Sequence, residues 1–208
     1  ENGIAGTTNW NYLDTAGFKR GEGAPSTDTL NTGNRFGSTW IPAECDVSIR
    51  PGWFYHKEED NKVKSATDLF LLYLKSVGRG ANLLLNVPPD PRGLVNENDS
   101  AAAVAFRQLK EKSFKQNIFK HASGYYLQRG ITKKIVGISD ENPATVQVME
   151  GTEMYSAGVE LKMNKKVNTV VLKESLRKGQ HCAEFKLLLF NSKDELVKEI
   201  HGTTIGNK

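Results

Sequence analysis

Residues 81–87 read Ala81-Asn-Leu-Leu-Leu-Asn-Val87 and are followed by two prolines, Pro88 and Pro89. An extended run that is apolar on both faces and bounded by glycine and proline is typical of a fully buried parallel strand. A helix is predicted before it, from about Asp60, because apolar residues recur every three or four positions up to Val77 and glycines come next. A second helix is predicted from about Asp99. Helix, strand, loop and helix together indicate an α/β layered or barrel fold.

The pattern changes near residue 117, where the helical periodicity ends and short apolar pieces begin. Strands are predicted at Tyr125–Leu127, Lys134–Ile138, Thr145–Val148, Val159–Leu161, Thr169–Leu172, Cys182–Phe190 and Leu196–Ile200. Strands of this length with polar or glycine-containing breaks are typical of an antiparallel β-sandwich. The sequence therefore predicts an α/β domain over residues 1–116 and an all-β domain over residues 117–208.

Composition and charge exclude several classes of protein. Hydrophobic residues make up 38% of the 208 and charged residues 25%, an ordinary globular balance. No apolar run reaches the roughly 20 residues that span a bilayer, so no membrane span is expected. The net charge is +4, but the basic stretches lack interleaved aromatic residues, so no nucleic-acid partner is expected. Two cysteines and four histidines show no zinc-ligand spacing, so no metal site is expected.

The strongest chemical signal is Trp40-Ile-Pro-Ala-Glu-Cys-Asp-Val-Ser-Ile-Arg-Pro-Gly-Trp-Phe-Tyr-His56. In an extended conformation one face carries Glu44, Asp46 and Ser48. The other face, with Cys45, Val47 and Ile49, is apolar and suits a core. Carboxylates beside aromatic rings suit sugar chemistry, because a sugar stacks on a ring and a carboxyl shielded by indole keeps its proton longer.

Each of these residues also has a plainer interpretation. Glu44 would then be a solvated loop residue, and Arg50 a structural ion-pair partner that stands before a proline. Trp53 and its two aromatic neighbours would belong to the core, and His56 to the surface. Asn86, at the end of the predicted buried strand, is expected to hold that strand to a loop.

The segment Trp40–His56 resembles the stretch that bears the general acid/base in α-L-fucosidases of glycoside hydrolase family 29. It is most similar to the branch of that family that acts on α-1,3/1,4-linked fucose. The run Val77–Asp90 with Arg92–Leu94 resembles the closing strand and following loop of the family's barrel. Further similarities lie in Glu1–Gly6, which resembles a loop after an earlier strand, and in Val171–Glu174, Gly179–Gln180 and Gly202–Gly206, which resemble the family's C-terminal β-sandwich.

The resemblance implies a fold and a mechanism. The fold would be the last repeats of a (β/α)8-type barrel followed by most of an antiparallel β-sandwich, and the chain would be a fragment that lacks the last strand of the sandwich. Glu44 would be the general acid/base of a retaining α-L-fucosidase, and Trp53 and His56 would contact fucose or the leaving group. A retaining enzyme needs a second carboxylate, and the resemblance places that aspartate upstream of Glu1. The isolated chain would then be inactive.

The resemblance also implies the surroundings of the reaction. The substrates would be fucosylated oligosaccharides or glycoconjugates, no metal or organic cofactor would take part, and the location would be secreted, periplasmic or lysosome-like. An alternative is a non-catalytic carbohydrate-binding fragment or a degenerate paralogue. If the chain itself turned over substrate, the first candidate nucleophiles would be Asp14, Asp28 and Asp46.

Overall fold

The elements of the chain are those of a computed structural model. The structure describes residues 3–19, 21–22, 27–120, 122–135, 142, 144–146, 148, 155–161 and 166–206. The strands are β1 Tyr12–Leu13, β2 Thr39–Trp40, β3 Glu44–Ser48, β4 Asn82–Asn86, β5 Ser123–Gln128, β6 Ile131–Ile135, β7 Ser156–Glu160, β8 Phe185–Phe190 and β9 Leu196–Gly202. The helices are α1 Thr27–Thr32, α2 Ala66–Lys75 and α3 Glu97–Phe114, and 3₁₀ turns span Lys57–Glu59 and Val77–Arg79.

A parallel strand pair with a helix between its strands forms the α/β part. β3 pairs with β4 in parallel, with Glu44 opposite Asn82 and Ser48 opposite Asn86. The predicted parallel strand is thus confirmed, but its complete burial is wrong. Leu84 is 50% exposed, because the described residues do not cover the face of β4 from which its side chain projects.

The first predicted helix begins later than the periodicity suggested. Ser65 caps α2, because its hydroxyl accepts a hydrogen bond from the Asp68 backbone N–H at 3.2 Å while the Asp68 carboxylate accepts from the Ser65 backbone at 3.1 Å. This reciprocal capping box fixes the start at Ala66. Val63 therefore lies outside α2.

Side chains from the apolar face of β3 form the core of the α/β part, as predicted. Cys45, Val47 and Ile49 are all less than a tenth exposed. Cys45 packs in a cluster with Ala5 and Ala81. The N-terminal segment is held there by backbone bonds, since the Ala5 N–H donates to the Lys75 carbonyl at 2.9 Å.

The later elements are β-strands, as predicted. β5 lies between β6 and β7 and pairs antiparallel with both, and β8 and β9 form a two-stranded sheet. The strand predicted at Thr169–Leu172 is wrong, as is the one at Thr145–Val148 for the described residues there, which are not in a strand. Apolar alternation alone does not provide a pairing partner. Residues 136–138 of another predicted strand lie outside the described residues.

The chain divides into two compact units. One contains Glu1–Ser113, Val171–Leu187 and Glu199–Lys208, and the other contains Phe114–Val170 and Leu188–Lys198. Compactness alone does not assign a unit to a fold class, so the boundary between residues 116 and 117 stays a prediction. In the described part of the chain, no helix is long and apolar enough to cross a bilayer.

Candidate functional site

A buried arginine organises the loop after β3. Arg50 is fully buried, and its Nε donates to Asp99 Oδ2 at 2.8 Å while its Nη2 donates to Asp60 Oδ1 at 3.0 Å. Its Nη1 donates to the His56 carbonyl at 3.2 Å, and the Tyr55 ring lies 4.6 Å from the guanidinium carbon. Arg50 is thus the structural ion-pair partner that the plainer interpretation predicted.

The charge of Arg50 is retained in this buried position. Burial lowers the pKa of the guanidinium, but the hydrogen bonds to Asp99 and Asp60 outweigh that cost, and the net shift of the pKa is upward. A guanidinium also presents its donors in a fixed planar fork. Arg50 therefore fixes the direction as well as the distance of each partner.

A second anchor holds the same loop to β4. The Asn86 Nδ2 donates to the Trp53 carbonyl at 2.8 Å and to the Ser48 hydroxyl at 3.1 Å. The Ser48 hydroxyl in turn donates to the Gly52 carbonyl at 2.7 Å. The prediction that Asn86 holds strand and loop together is confirmed.

The anchored loop leaves several of its ring-bearing side chains open to solvent. Trp53 is 39% exposed and Phe54 is 78% exposed, and His56 is exposed as well. Rings held by their backbone and open to solvent suit stacking against a ligand better than filling a core. The structure therefore places Trp53 and His56 in the same loop, which follows the carboxyl end of β3.

Glu44 lies at the other end of the same strand. It is the first residue of β3 and is exposed, and it lies four positions before Ser48, roughly 13 Å away along the strand. Asp46, on the same face, is half-buried, and its Oδ1 has no hydrogen-bond partner among the described residues. Sites in parallel α/β folds lie at the carboxyl ends of strands. The position of Glu44 therefore argues against its joining Trp53 and His56 in one site.

Buried amides hold the entry to β3. The Ile41 N–H donates to the Asn11 backbone carbonyl at 2.9 Å, and the Ala43 N–H donates to Asn11 Oδ1 at 3.2 Å. These two donors flank Pro42, which has none. Gln180 Oε1 accepts from the Asn11 backbone N–H at 3.0 Å, and its Nε2 donates to the Asn9 carbonyl at 2.9 Å.

The described residues contain no group of three or more histidine, cysteine or carboxylate side chains that could hold a metal ion. Other titratable groups near β3 are structural. Burial raises the pKa of the Cys45 thiol, which favours its neutral form. Burial also lowers the pKa of Lys64, whose Nζ donates to the Ser48 carbonyl at 2.7 Å.

Known proteins resemble this chain along its whole length. The family model described as "Alpha-L-fucosidase" matches residues 17–106, which include β3, β4 and the anchored loop. Alpha-L-fucosidase 1 of Arabidopsis thaliana is 34% identical over 220 residues, an alignment that covers 100% of this chain. The chain is thus similar to proteins named as α-L-fucosidases. It spans 42% of the length of the Arabidopsis relative.

The chain is also similar to solved structures of glycoside hydrolase family 29. SpGH29 aligns with a TM-score of 0.84 at 27% identity, covering 100% of this chain and 45% of SpGH29. A Ruminococcus gnavus fucosidase in complex with fucose aligns with a TM-score of 0.80 at 26% identity, covering 100% and 42%. The predicted fold class, α/β followed by all-β, is confirmed by these likenesses.

Sequence reasoning missed the residues that anchor this part of the fold from a distance. The sequence marks Asp99 only as a helix start, and Asn11 is one of many polar residues in a glycine-rich stretch. Gln180 lies 169 residues from Asn11. An isolated buried amide has no periodicity, so the sequence carries no signal that could have found it.

Proposed function

We propose that the whole protein is a retaining α-L-fucosidase that hydrolyses terminal α-L-fucose, α-1,3/1,4-linked, from glycans or glycoconjugates. The observation that carries the proposal is the likeness over the entire chain to family 29 proteins, one of which was solved with fucose bound. The anchored loop adds support, since it presents Trp53 and His56 at the carboxyl end of β3, where a ligand site in such a fold is expected.

The two exposed side chains have distinct roles in this proposal. The Trp53 indole would stack on an apolar face of the sugar, and the His56 imidazole would hydrogen-bond a hydroxyl or the leaving group. Their backbones are held by Asn86 and Arg50 respectively. A bound sugar would therefore meet rings that are already placed, which lowers the entropy cost of binding.

A retaining reaction needs two carboxyl groups about 5–5.5 Å apart. One attacks the sugar carbon, and the other donates a proton to the leaving oxygen and then takes one from water. Glu44 as that acid/base stays a prediction of the resemblance, and the nucleophile upstream of Glu1 does too. The strand geometry favours an acid/base other than Glu44.

Fucose release from an activated aryl α-L-fucoside tests the activity of the whole protein. We expect hydrolysis with α-L-fucose as the first product anomer, and faster release from 3- or 4-fucosylated than from 2-fucosylated oligosaccharides. No turnover by a folded protein that still binds L-fucose would favour the carbohydrate-binding alternative. Turnover by the 208-residue chain alone would place the nucleophile within it, with Asp14, Asp28 and Asp46 as the first candidates.

The variant Glu44→Gln separates the two assignments of the acid. If Glu44 is the acid, hydrolysis of poor leaving groups is abolished while highly activated aryl fucosides are spared, because an activated leaving group needs no proton. Equal retention of both activities removes Glu44 from the acid role, and that is the outcome that its position at the start of β3 favours. Thr204→Val, which replaces a buried hydroxyl remote in sequence from the loop, is the control.

A further inference from the structure

Asp99 has an unusual environment for an acidic residue in the first turn of a helix. It lies in the first turn of α3, where a carboxylate normally stabilises the helix dipole from an exposed position. Its side chain is instead 0% exposed and accepts a hydrogen bond from Arg50 Nε at 2.8 Å. Its Oδ1 is buried and has no hydrogen-bond partner among the described residues. Helix stabilisation alone does not account for this placement.

The contacts of Arg50 show what Asp99 is placed to do. The other contacts of the guanidinium are with Tyr55, His56 and Asp60, all within the loop after β3. Asp99 comes from α3, so the pair joins this loop to a helix that begins 41 residues after His56. Because the guanidinium fork is planar, fixing Nε on Asp99 also fixes where Nη1 meets the His56 carbonyl.

Stability alone is a weak reason for such a pair. A fully buried ion pair contributes little net stability compared with well-packed apolar residues of similar volume, because both charges lose their hydration. What an ion pair adds is one defined geometry. Here that geometry applies to the backbone of His56, while Asn86 defines the backbone of Trp53 three residues earlier.

We propose that Asp99 is a positioning residue for sugar binding, which acts through Arg50 on the loop that carries Trp53 and His56. The inference rests on the proposed function, since it takes those two side chains as the sugar contacts. Asp99 itself does not touch the sugar. Its loss would let the loop adopt several arrangements, so that binding energy would be spent on selecting one of them.

The test is the dissociation constant for L-fucose, measured by calorimetry on the whole protein. We expect Asp99→Ala to weaken binding on the order of tenfold, the equivalent of one displaced contact. Asp99→Asn keeps an oxygen that can accept from Arg50 Nε, so we expect only about a two- to threefold weakening. If Asp99→Ala does not fold, Asp99→Asn carries the test.

The control distinguishes position from stability. Thr204 is 1% exposed and accepts from the Asn9 backbone N–H at 2.9 Å. Thr204→Val removes a buried polar contact that involves neither the loop nor Arg50, so we expect destabilisation with an unchanged dissociation constant. If Thr204→Val weakens fucose binding as much as Asp99→Ala does, the positioning role is wrong.

A double-mutant background decides whether Asp99 acts through the loop. In the Trp53→Ala/His56→Ala protein, adding Asp99→Ala should change the dissociation constant less than about twofold, because the contacts it positions are gone. An equal tenfold loss in both backgrounds overturns the inference. If Trp53→Ala/His56→Ala does not weaken binding, the two side chains are not sugar contacts and the inference about Asp99 is wrong. Hydrolysis of aryl fucosides tests the proposed activity separately.

Discussion

The two ends of β3 are held by different chemistry. At the carboxyl end, Arg50 is paired with two carboxylates and fixes a loop in which Trp53 and Phe54 are exposed. At the amino end, the amides of Asn11 and Gln180 hold the backbone on either side of Pro42. Charge-assisted bonds are stronger and more directional than neutral ones. The end of β3 that carries the exposed Trp53 and His56 is thus the end with the charge-assisted anchor.

The largest expected effect on stability is at the carboxyl end of β3, where Arg50 is paired with carboxylates. Arg50→Met leaves Asp99 buried without its cation, and we expect the free energy of unfolding to fall by about 3–5 kcal/mol. Urea denaturation of the whole protein at pH 7 measures the loss.

A second substitution shows whether the charge is the cause. In Arg50→Met/Asp99→Leu both members of the pair are apolar, and we expect most of the lost stability to return. Fucose binding should stay weak in this double variant, since nothing then holds the His56 carbonyl. Return of both stability and binding would show that packing rather than the ion pair positions the loop.

The next largest effect on stability is expected at the amino end of β3, which the buried amides hold. Gln180 is 5% exposed, and Gln180→Met leaves the Asn11 N–H and the Asn9 carbonyl without their partner. We expect a loss of about 2 kcal/mol in the free energy of unfolding by urea denaturation. The dissociation constant for fucose should not change, because this network ends at residues 41–43 and not at the loop.

The matched control at this end is Thr8→Val. The Thr8 hydroxyl donates to the Thr203 hydroxyl at 3.1 Å in a partly buried position, so its loss should cost less than about 0.5 kcal/mol. A cost for Gln180→Met no larger than that of Thr8→Val would mean that the buried amides do not stabilise the entry to β3. The contrast between the two ends of the strand would then fail.

Local patterns in the sequence predict several features of the strand pair. The two faces of β3, the parallel β4 and the role of Asn86 could be inferred because alternation, bounding prolines and strand ends are visible within a few residues. The resemblance to family 29 lies in the same short stretches. The partners of the buried polar side chains could not be inferred, since they lie far away in the sequence. Asp99 lies 49 residues from its partner Arg50, and Gln180 lies 169 residues from its partner Asn11.

The grouping of Glu44 with Trp53 in one predicted site shows the same limit of sequence reasoning. On the sequence, Glu44 and Trp53 are close and carry residue types suited to sugar chemistry. The structure shows that a whole strand lies between them, with Glu44 at its start and Trp53 after its end. A strand advances by about 3.3 Å per residue, so residues that are near each other in sequence lie far apart along it. A helix advances by only about 1.5 Å per residue and would have kept the two residues closer.

The smallest expected effect is the change in stability with acid that comes from an ion pair near the carboxyl end of β4. Asp90 comes after β4 at the carboxyl end of the strand pair, and its Oδ2 accepts from Arg92 Nη2 at 2.6 Å and from Arg92 Nε at 3.0 Å. These hydrogen bonds lower the pKa of Asp90 below its ordinary value. Arg92 is more than half exposed, so solvent screens the pair and its contribution is modest.

The direction of that response is set by the sign of the shift. Because the pKa of Asp90 is lower in the folded than in the unfolded protein, its stabilisation is present above the unfolded value of about 3.9 and is lost as the pH falls through the folded value. Asp90→Asn should therefore be less stable than the parent at pH 7, and the two should converge below pH ~4. Urea denaturation across that range measures the convergence. A double-mutant cycle of Asp90→Asn with Arg92→Gln isolates the contribution of this pair, which is needed because Arg92 also lowers the pKa of Glu97. A coupling free energy that does not fade with acid would show that the contact stabilises through packing instead of charge.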